Sequence, residues 1–270
     1  MEAVMSTVHD RASTIRIVRQ VLAADCACPE TGLIDENLLI THAEERVGRR
    51  RYPPPAKPLL AVTMGAGVVV TCHPERAGWL RATLEGRSRD AIFSAPTIAE
   101  LAQYVARDGQ ELRGPACKYI CAPETFRPPA DPEGVLITLV EGEAVAELYR
   151  HEGFGNALAY CRDRPRPDVA AAVGSCAGTV LGIAGISADC EALWQIGVDI
   201  VPAAQGASLG RALVGRLTAH ALDHGKIPYY ATAVSNVRSA ALAVGLGYWP
   251  AWTEFSAKDR APTTERCRRV

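Results

Sequence analysis

The sequence predicts an α/β protein with a mixed sheet, built from two α/β parts. Three observations carry that expectation. DVAAAVG, TVLGIAGIS and ALWQIGVDIV are apolar, β-branched runs separated by short polar turns, so they read as a meander of adjacent strands. LGRALVGRLTAHAL then sets Leu209, Leu213, Leu217 and Ala221 on one stripe, with Arg211 and Thr218 off it, the pattern of an amphipathic helix. Past Gly225, which stops that helix, PYYATAV reads as another strand, and NVRSAALAVGLG as a short helix ending near Gly245 and Gly247.

From the start of the chain, Ile15, Ile17, Val18, Val21 and Leu22 recur near helical spacing, and a polar stretch follows. Arg49, Arg50 and Arg51 meet Pro53, Pro54 and Pro55, which reads as an irregular exposed connection with the arginines on a solvated face. LLAVTMG and VVVTC read as strands around a turn at Ala66 and Gly67, and HPERAGWLRATL as the helix after them. The breaker cluster from Pro123 to Gly134 is the best candidate linker. It sets a smaller mixed N-terminal domain, 1–132, with no evident chemistry, against a C-terminal domain, 133–270.

Composition narrows the function classes. At about 150 residues per domain, 270 residues fit one or two domains. Apolar residues at 48% and charged ones at 22% exclude a disordered, collagenous or coiled-coil chain. Lys plus Arg, 29, against Asp plus Glu, 30, leaves a net charge of -1, which argues against nucleic acid or an anionic membrane as partner. The first twenty residues lack the apolar core of a signal peptide, and no run of about 18 apolar residues occurs, so a cytoplasmic protein is expected. Nine cysteines favour reduced thiols. CAC at Cys26 and Cys28 and CKYIC at Cys117 and Cys121 lack the paired spacing of a zinc site, so no metal is expected.

The segment that points to chemistry is IVPAAQGASLGRAL, where a strand stops at Pro202 and small residues open a helix. The first N–H groups of a helix have no intrahelical partner and lie at the positive end of its dipole, so a phosphate is a natural ligand there. The alternative is a glycine turn capped by Ser208.

At these residues the chain resembles the GNAT superfamily of N-acetyltransferases. The family's marker, Arg or Gln, two residues, Gly, one residue, then Gly or Ala, is matched by Gln205 and Gly210, with Ser208 where the family has glycine. If that position requires a left-handed backbone, Ser208 carries strain on the order of 1 kcal/mol. A second marker is matched by Asn236, Ser239, Gly247 and Tyr248. The resemblance covers about Gly134 to Trp252, and WQIGVDIVP also looks like a bacterial subgroup with an extra N-terminal domain. It implies acetyl-CoA as acyl donor. The pantetheine would run along Asp199, Ile200 and Val201. The pyrophosphate would meet Gln205, Gly206, Ala207, Ser208, Leu209, Gly210 and Arg211. Asn236 and Ser239 would lie at the pantetheine arm, Asn236 also reading as a helix N-cap.

The resemblance further implies transfer of an acetyl group to a primary amine, of a small molecule or a protein lysine, with a homodimer left open. The family's usual base and acid positions fall here on Trp194 and Ala243. Period-two alternation puts Gln195, Gly197, Asp199 and Val201 on one strand face. Asp199 is therefore the first candidate base, with Glu191 and Asp189 next, and Tyr248 is a candidate acid. A solvated turn or structural hydrogen bond is the alternative for each acid group, and core packing for Tyr248. Asn156 and Gln195 are candidates for acceptor binding, while Phe154 and Tyr160 read as core. His220 and His224, late in the long helix, read as surface groups at its negative end. The rival to an enzyme is a non-catalytic acyl-CoA-binding or regulatory module.

Overall fold

In the computed structural model, which describes residues 10–161, 165–206 and 208–260, the chain divides into two units. One holds residues 22–47, 53–116 and 252–260, the other residues 10–21, 48–52 and 117–251. The division after Ala116 replaces the expected one after residue 132. The Pro123–Gly134 stretch belongs within the second of these units because its backbone is tied down there. Arg127 N donates to Leu246 O over 2.9 Å, and Gly247 lies so close to Thr125 that a Cβ would overlap the Thr125 carbonyl oxygen.

The chain opens with helix α1 (Arg11–Asp25), where the apolar spacing predicts it. In the first unit, β1 (Leu38–His42), β2 (Leu59–Thr63) and β3 (Val68–Cys72) are followed by α2 (Pro74–Leu84), α3 (Arg89–Ile92), α4 (Ala95–Ala106) and the first residues of β4 (Gln110–Ile120). β1 pairs parallel and β2 antiparallel with β3. The β-branched run of β3 is buried along its whole length, because sheet neighbours flank it and the helices supply Ala77, Leu80, Leu84, Leu101 and Val105 against it. The His73 ring accepts from Glu75 N at the start of α2, an N-cap in front of Pro74. Buried Arg76 is held by Asp108 at 2.7 Å and Gln110 at 2.6 Å.

In the second unit, β6 (Asp168–Cys176), β7 (Thr179–Ala188) and β8 (Leu193–Ile200) form the expected meander, antiparallel, and β5 (Leu136–Glu141) extends it by pairing antiparallel with β6. Helix α5 (Leu209–Asp223) then returns the chain so that β9 (Ile227–Ala233) pairs parallel with β8, and α6 (Val237–Gly245) and the first three residues of β10 (Trp249–Asp259) follow, the rest of β10 belonging to the first unit. The mixed α/β class is thus present. Leu209, Leu213, Leu217 and Ala221 are all buried, against Ala170, Ala172, Ala184, Ile186 and Ile196 of the sheet.

One expectation changes because this sheet is packed on both faces. Thr218, set off the apolar stripe, is buried and meets Val214 O and the Tyr248 hydroxyl. Tyr229 and Tyr230, neighbours on a strand whose alternation sends one side chain to each face, are both buried. A second change concerns the arginine run: Arg50 is buried, its guanidinium 5.3 Å from the Tyr52 ring centroid. No helix among the described residues is long and apolar enough to cross a membrane.

Candidate functional site

The site is built where β8 leaves β9. The two strands pair from Leu193↔Ile227 to Ile196↔Tyr230, whereas pairing of β8 with β7 continues to Ile200↔Gly182. From Gly197 onward β8 therefore has one edge with no strand paired to it among the described residues. Val201 N donates to Leu181 O, so the odd-numbered residues turn their backbone groups toward β7. Val198 and Ile200 turn theirs to the open edge. Of Asp199, Ile200 and Val201, expected along the pantetheine, only Ile200 turns its backbone groups to that edge, and Val198 does the same.

On the face carrying the odd-numbered side chains lies a cavity of about 180 Å³, lined by residues 155–159, Arg166, Asp168, Gly185, Ser187, Gln195 and Gly197. Its loop wall sits directly on the sheet. A Cβ at Gly197 would overlap the Asn156 carbonyl oxygen, and one at Gly185 the Ala157 carbonyl oxygen, so these glycines let the loop approach. Asp199 holds the loop, accepting from Asn156 N at 2.8 Å, Asn156 Nδ2 at 2.6 Å and Ala157 N at 3.0 Å. Both named residues are thus spent on each other. Asp199 is an anchor for the loop rather than a base poised for an amine, and Asn156 reaches the cavity through its backbone position while its amide binds Asp199. Phe154 packs in the core as expected.

Gln195 is the side chain that β8 presents where the strands part. Trp194, at the position the resemblance equates with the family's base, is on the opposite face, near His220 and His224. Gln195 Oε1 lies 2.7 Å from the Tyr52 hydroxyl, 2.9 Å from that of Tyr229 and 3.1 Å from Arg166 Nη2. Asp189, fully buried, accepts from Arg166 Nε at 2.6 Å, from Ser187 Oγ at 2.9 Å and from the Tyr229 hydroxyl. Tyr229 has one proton, and its contact with the carboxylate takes it; the Tyr52 hydroxyl then donates to Tyr229 or to Gln195. Burial, then the Asp189 and Tyr52 charges, push the Tyr229 phenol well above its usual value. Burial works to lower the Arg166 pKa, but Tyr52, Asp189 and Tyr229 outweigh it, and the guanidinium stays charged 4.1 Å from the Tyr52 ring centroid. Asp168 accepts from the Tyr149 hydroxyl at 2.9 Å and Ala159 N at 2.7 Å at the cavity wall.

Tyr52, Arg166, Asp168 and Ser187 are absent from the sequence-based candidates. Nothing local marks them: Tyr52 meets Gln195 across 143 positions. The remaining candidates fall elsewhere. Glu191 is exposed and ion-paired with Lys226, which lowers its pKa, so it serves a surface pair. Tyr248 is buried in the core beside Thr218, and that burial raises its pKa well above the usual value. It packs rather than protonates. Ala243 is buried in the same core.

At the far end of β8, Gln205 Nε2 donates to Ile200 O over 3.3 Å, Gly206 has φ +88°, and Ser208 has φ 58° and ψ -4°. The left-handed backbone at Ser208 is therefore real, and its side chain makes no capping hydrogen bond to α5. Ala207 lies outside the described residues. Leu209 is buried beneath the turn. A Cβ at Gly210 would meet Ile200 and Leu242 at 3.5 Å, an ordinary contact. Arg211, expected to face a phosphate, donates to Gly245 O over 2.6 Å, where the carbonyl end of α6 attracts it. Asn236 is the N-cap of α6, accepting from Ser239 N at 3.1 Å.

No family model and no curated protein matches the sequence. Solved structures do. One is a GCN5-related N-acetyltransferase from Kribbella flavida, at 18% identity and a TM-score of 0.44, covering 62% of this chain and 66% of that one. A GCN5-related N-acetyltransferase-like protein from Streptococcus suis gives 16% identity and 0.47, with 92% and 99% covered. A tandem GNAT protein from the clavulanic acid biosynthesis pathway gives 16% and 0.45, with 94% and 97% covered. The likeness is to GNAT-family N-acetyltransferases. This chain spans just under two thirds of the Kribbella protein's length. At these scores the likeness is one of outline, and the functional reading below stands on this chain's own geometry.

Proposed function

We propose that the chain is an acetyl-CoA-dependent N-acetyltransferase acting by direct transfer on a primary amine. One observation carries the reading: an open strand edge at Val198 and Ile200 runs from a polar cavity at Gln195 to the turn that begins α5. That line suits an acyl-CoA, whose amide-bearing arm pairs with backbone and whose phosphates prefer uncapped helix amides. The glycine at 206 and the left-handed Ser208 keep the approach to those amides low. Bound there, acetyl-CoA supplies an activated thioester. The chain's share is to hold it against the acceptor, since positioning alone contributes several kcal/mol to such reactions. Asp168 at the cavity wall would meet the acceptor amine, and Gln195, held by Arg166 beside the Tyr52 hydroxyl, would orient it.

Calorimetric titration with acetyl-CoA tests the donor site, comparing wild type with Ser208→Asp. A carboxylate suits a helix N-terminus and tolerates the left-handed region, so the variant folds, yet it repels phosphate; affinity falls about tenfold or more. Asp168→Asn should raise KM for the acceptor without changing acetyl-CoA affinity. Absence of acetyl-CoA binding by folded wild type would sink the reading. A second reading is an acyl-CoA-binding or regulatory module without turnover. It is favoured by the engagement of Asp199 in the loop and of Tyr248 in the core. Binding with no thiol released across an acceptor panel would decide for it.

A further inference from the structure

Glu141, at the end of β5, His220, in the last turn of α5, and His224, the residue that caps its C-terminal end, bring three ligand atoms within 4.8 Å of one another. None of the three lines the cavity. His220 Nδ1 stands 3.3 Å from Glu141 Oε1. That is about the edge of a tetrahedron around an ion with bonds of about 2.0–2.1 Å to nitrogen and oxygen. The two imidazoles, one helical turn apart, have ring centroids 4.3 Å apart. His224 Nδ1 lies 2.7 Å from His220 O; donating its proton there leaves Nε2 with a free lone pair, the arrangement that orients a metal-binding histidine. The carbonyl end of α5 adds negative potential where a cation would sit.

We propose that Glu141, His220 and His224 bind a divalent transition-metal ion of the zinc class, stapling the end of β5 to the C-terminal end of α5. Two imidazoles and one carboxylate are a donor set for zinc, with the fourth position left to water. The site replaces the expectation that the two histidines serve only as surface groups, and it does not depend on what the cavity binds.

The test uses full-length protein stripped with chelator and titrated with zinc chloride. Wild type should bind one equivalent and show a melting temperature that rises with zinc concentration. Glu141→Gln and His224→Ala, both at exposed positions, should keep the metal-free melting temperature and weaken binding about tenfold or more. His151→Ala should bind as wild type does. Nickel provides a second readout: the Trp194 ring, with its centroid 6.1 Å from that of His220 and 5.8 Å from that of His224, should be quenched, and Trp194→Phe should remove the quenching. No binding by wild type, or equal binding by both ligand variants, would overturn the proposal.

Discussion

Ser208 shows how a single residue can be read from sequence and still surprise. The marker spacing placed it where glycine is usual, and its φ of 58° is what that spacing implies. The competing reading, an N-cap serine, fails because a left-handed backbone does not let the hydroxyl reach the first amides. Ser208→Gly should therefore stabilise the protein by about 1 kcal/mol, measured by urea unfolding; a loss of stability would mean the serine is held there by a contact worth more than the strain. Asp199 teaches the opposite lesson. Alternation put it on the correct face, but not its partners, since Asn156 and Ala157 come from a loop about forty residues earlier. Asp199→Ala should cost about 2 kcal/mol of stability through lost charge-assisted hydrogen bonds. A base would instead show a fall in turnover at unchanged stability, so unfolding and activity measured together separate the two roles.

Among elements, β8 is the one that matters most for the site. Its run of eight residues is legible from composition, and so is its place in the meander. The point at which β9 leaves it is not, because β9 reaches β8 only after α5 has carried the chain back, and local pattern does not say where their parallel pairing ends. Gly197→Ala tests the loop's seat on this strand: with the Asn156 carbonyl in the way, the variant should lose about 3 kcal/mol or change the cavity, read by unfolding and by acceptor affinity. A neutral result would mean the loop moves aside freely. β4 and β10 carried no sequence expectation. GPA sits in the middle of one and WPA at the start of the other, and such breakers read as turns unless a neighbouring strand tolerates them.

At the scale of the whole molecule, burial on both faces of the sheet leaves a mark on pH stability. Tyr229 and Tyr248 are buried and keep their protons well above the ordinary pKa of 10.0. Below that value both folded and unfolded chains are protonated and the contribution is complete. As pH rises past it, the unfolded chain ionises first, binds fewer protons, and stability falls, by about 1.4 kcal/mol per pH unit for each tyrosine. Urea midpoints should thus drop between pH 10 and 11, and Tyr248→Phe should flatten the slope. An unchanged slope would assign the alkaline loss to other groups. The division of the chain also belongs to this scale. A Pro-rich stretch marks a break in regular structure, not a break between units, when its backbone is tied to α6 as that of Arg127 is.

The sequence by itself determined the α/β class, the meander of three strands and the amphipathic helix, four of whose buried positions its apolar stripe names. These depend on local period and backbone preference, which neighbours in the chain set. Tertiary structure alone decided that Asp199 anchors a loop and that Tyr248 is core. It also joined Tyr52 to Gln195 and Arg166 to Asp189, and brought Glu141 to two histidines. Each of those depends on groups distant in sequence meeting across a sheet or at a helix end, and no local pattern encodes which distant group arrives.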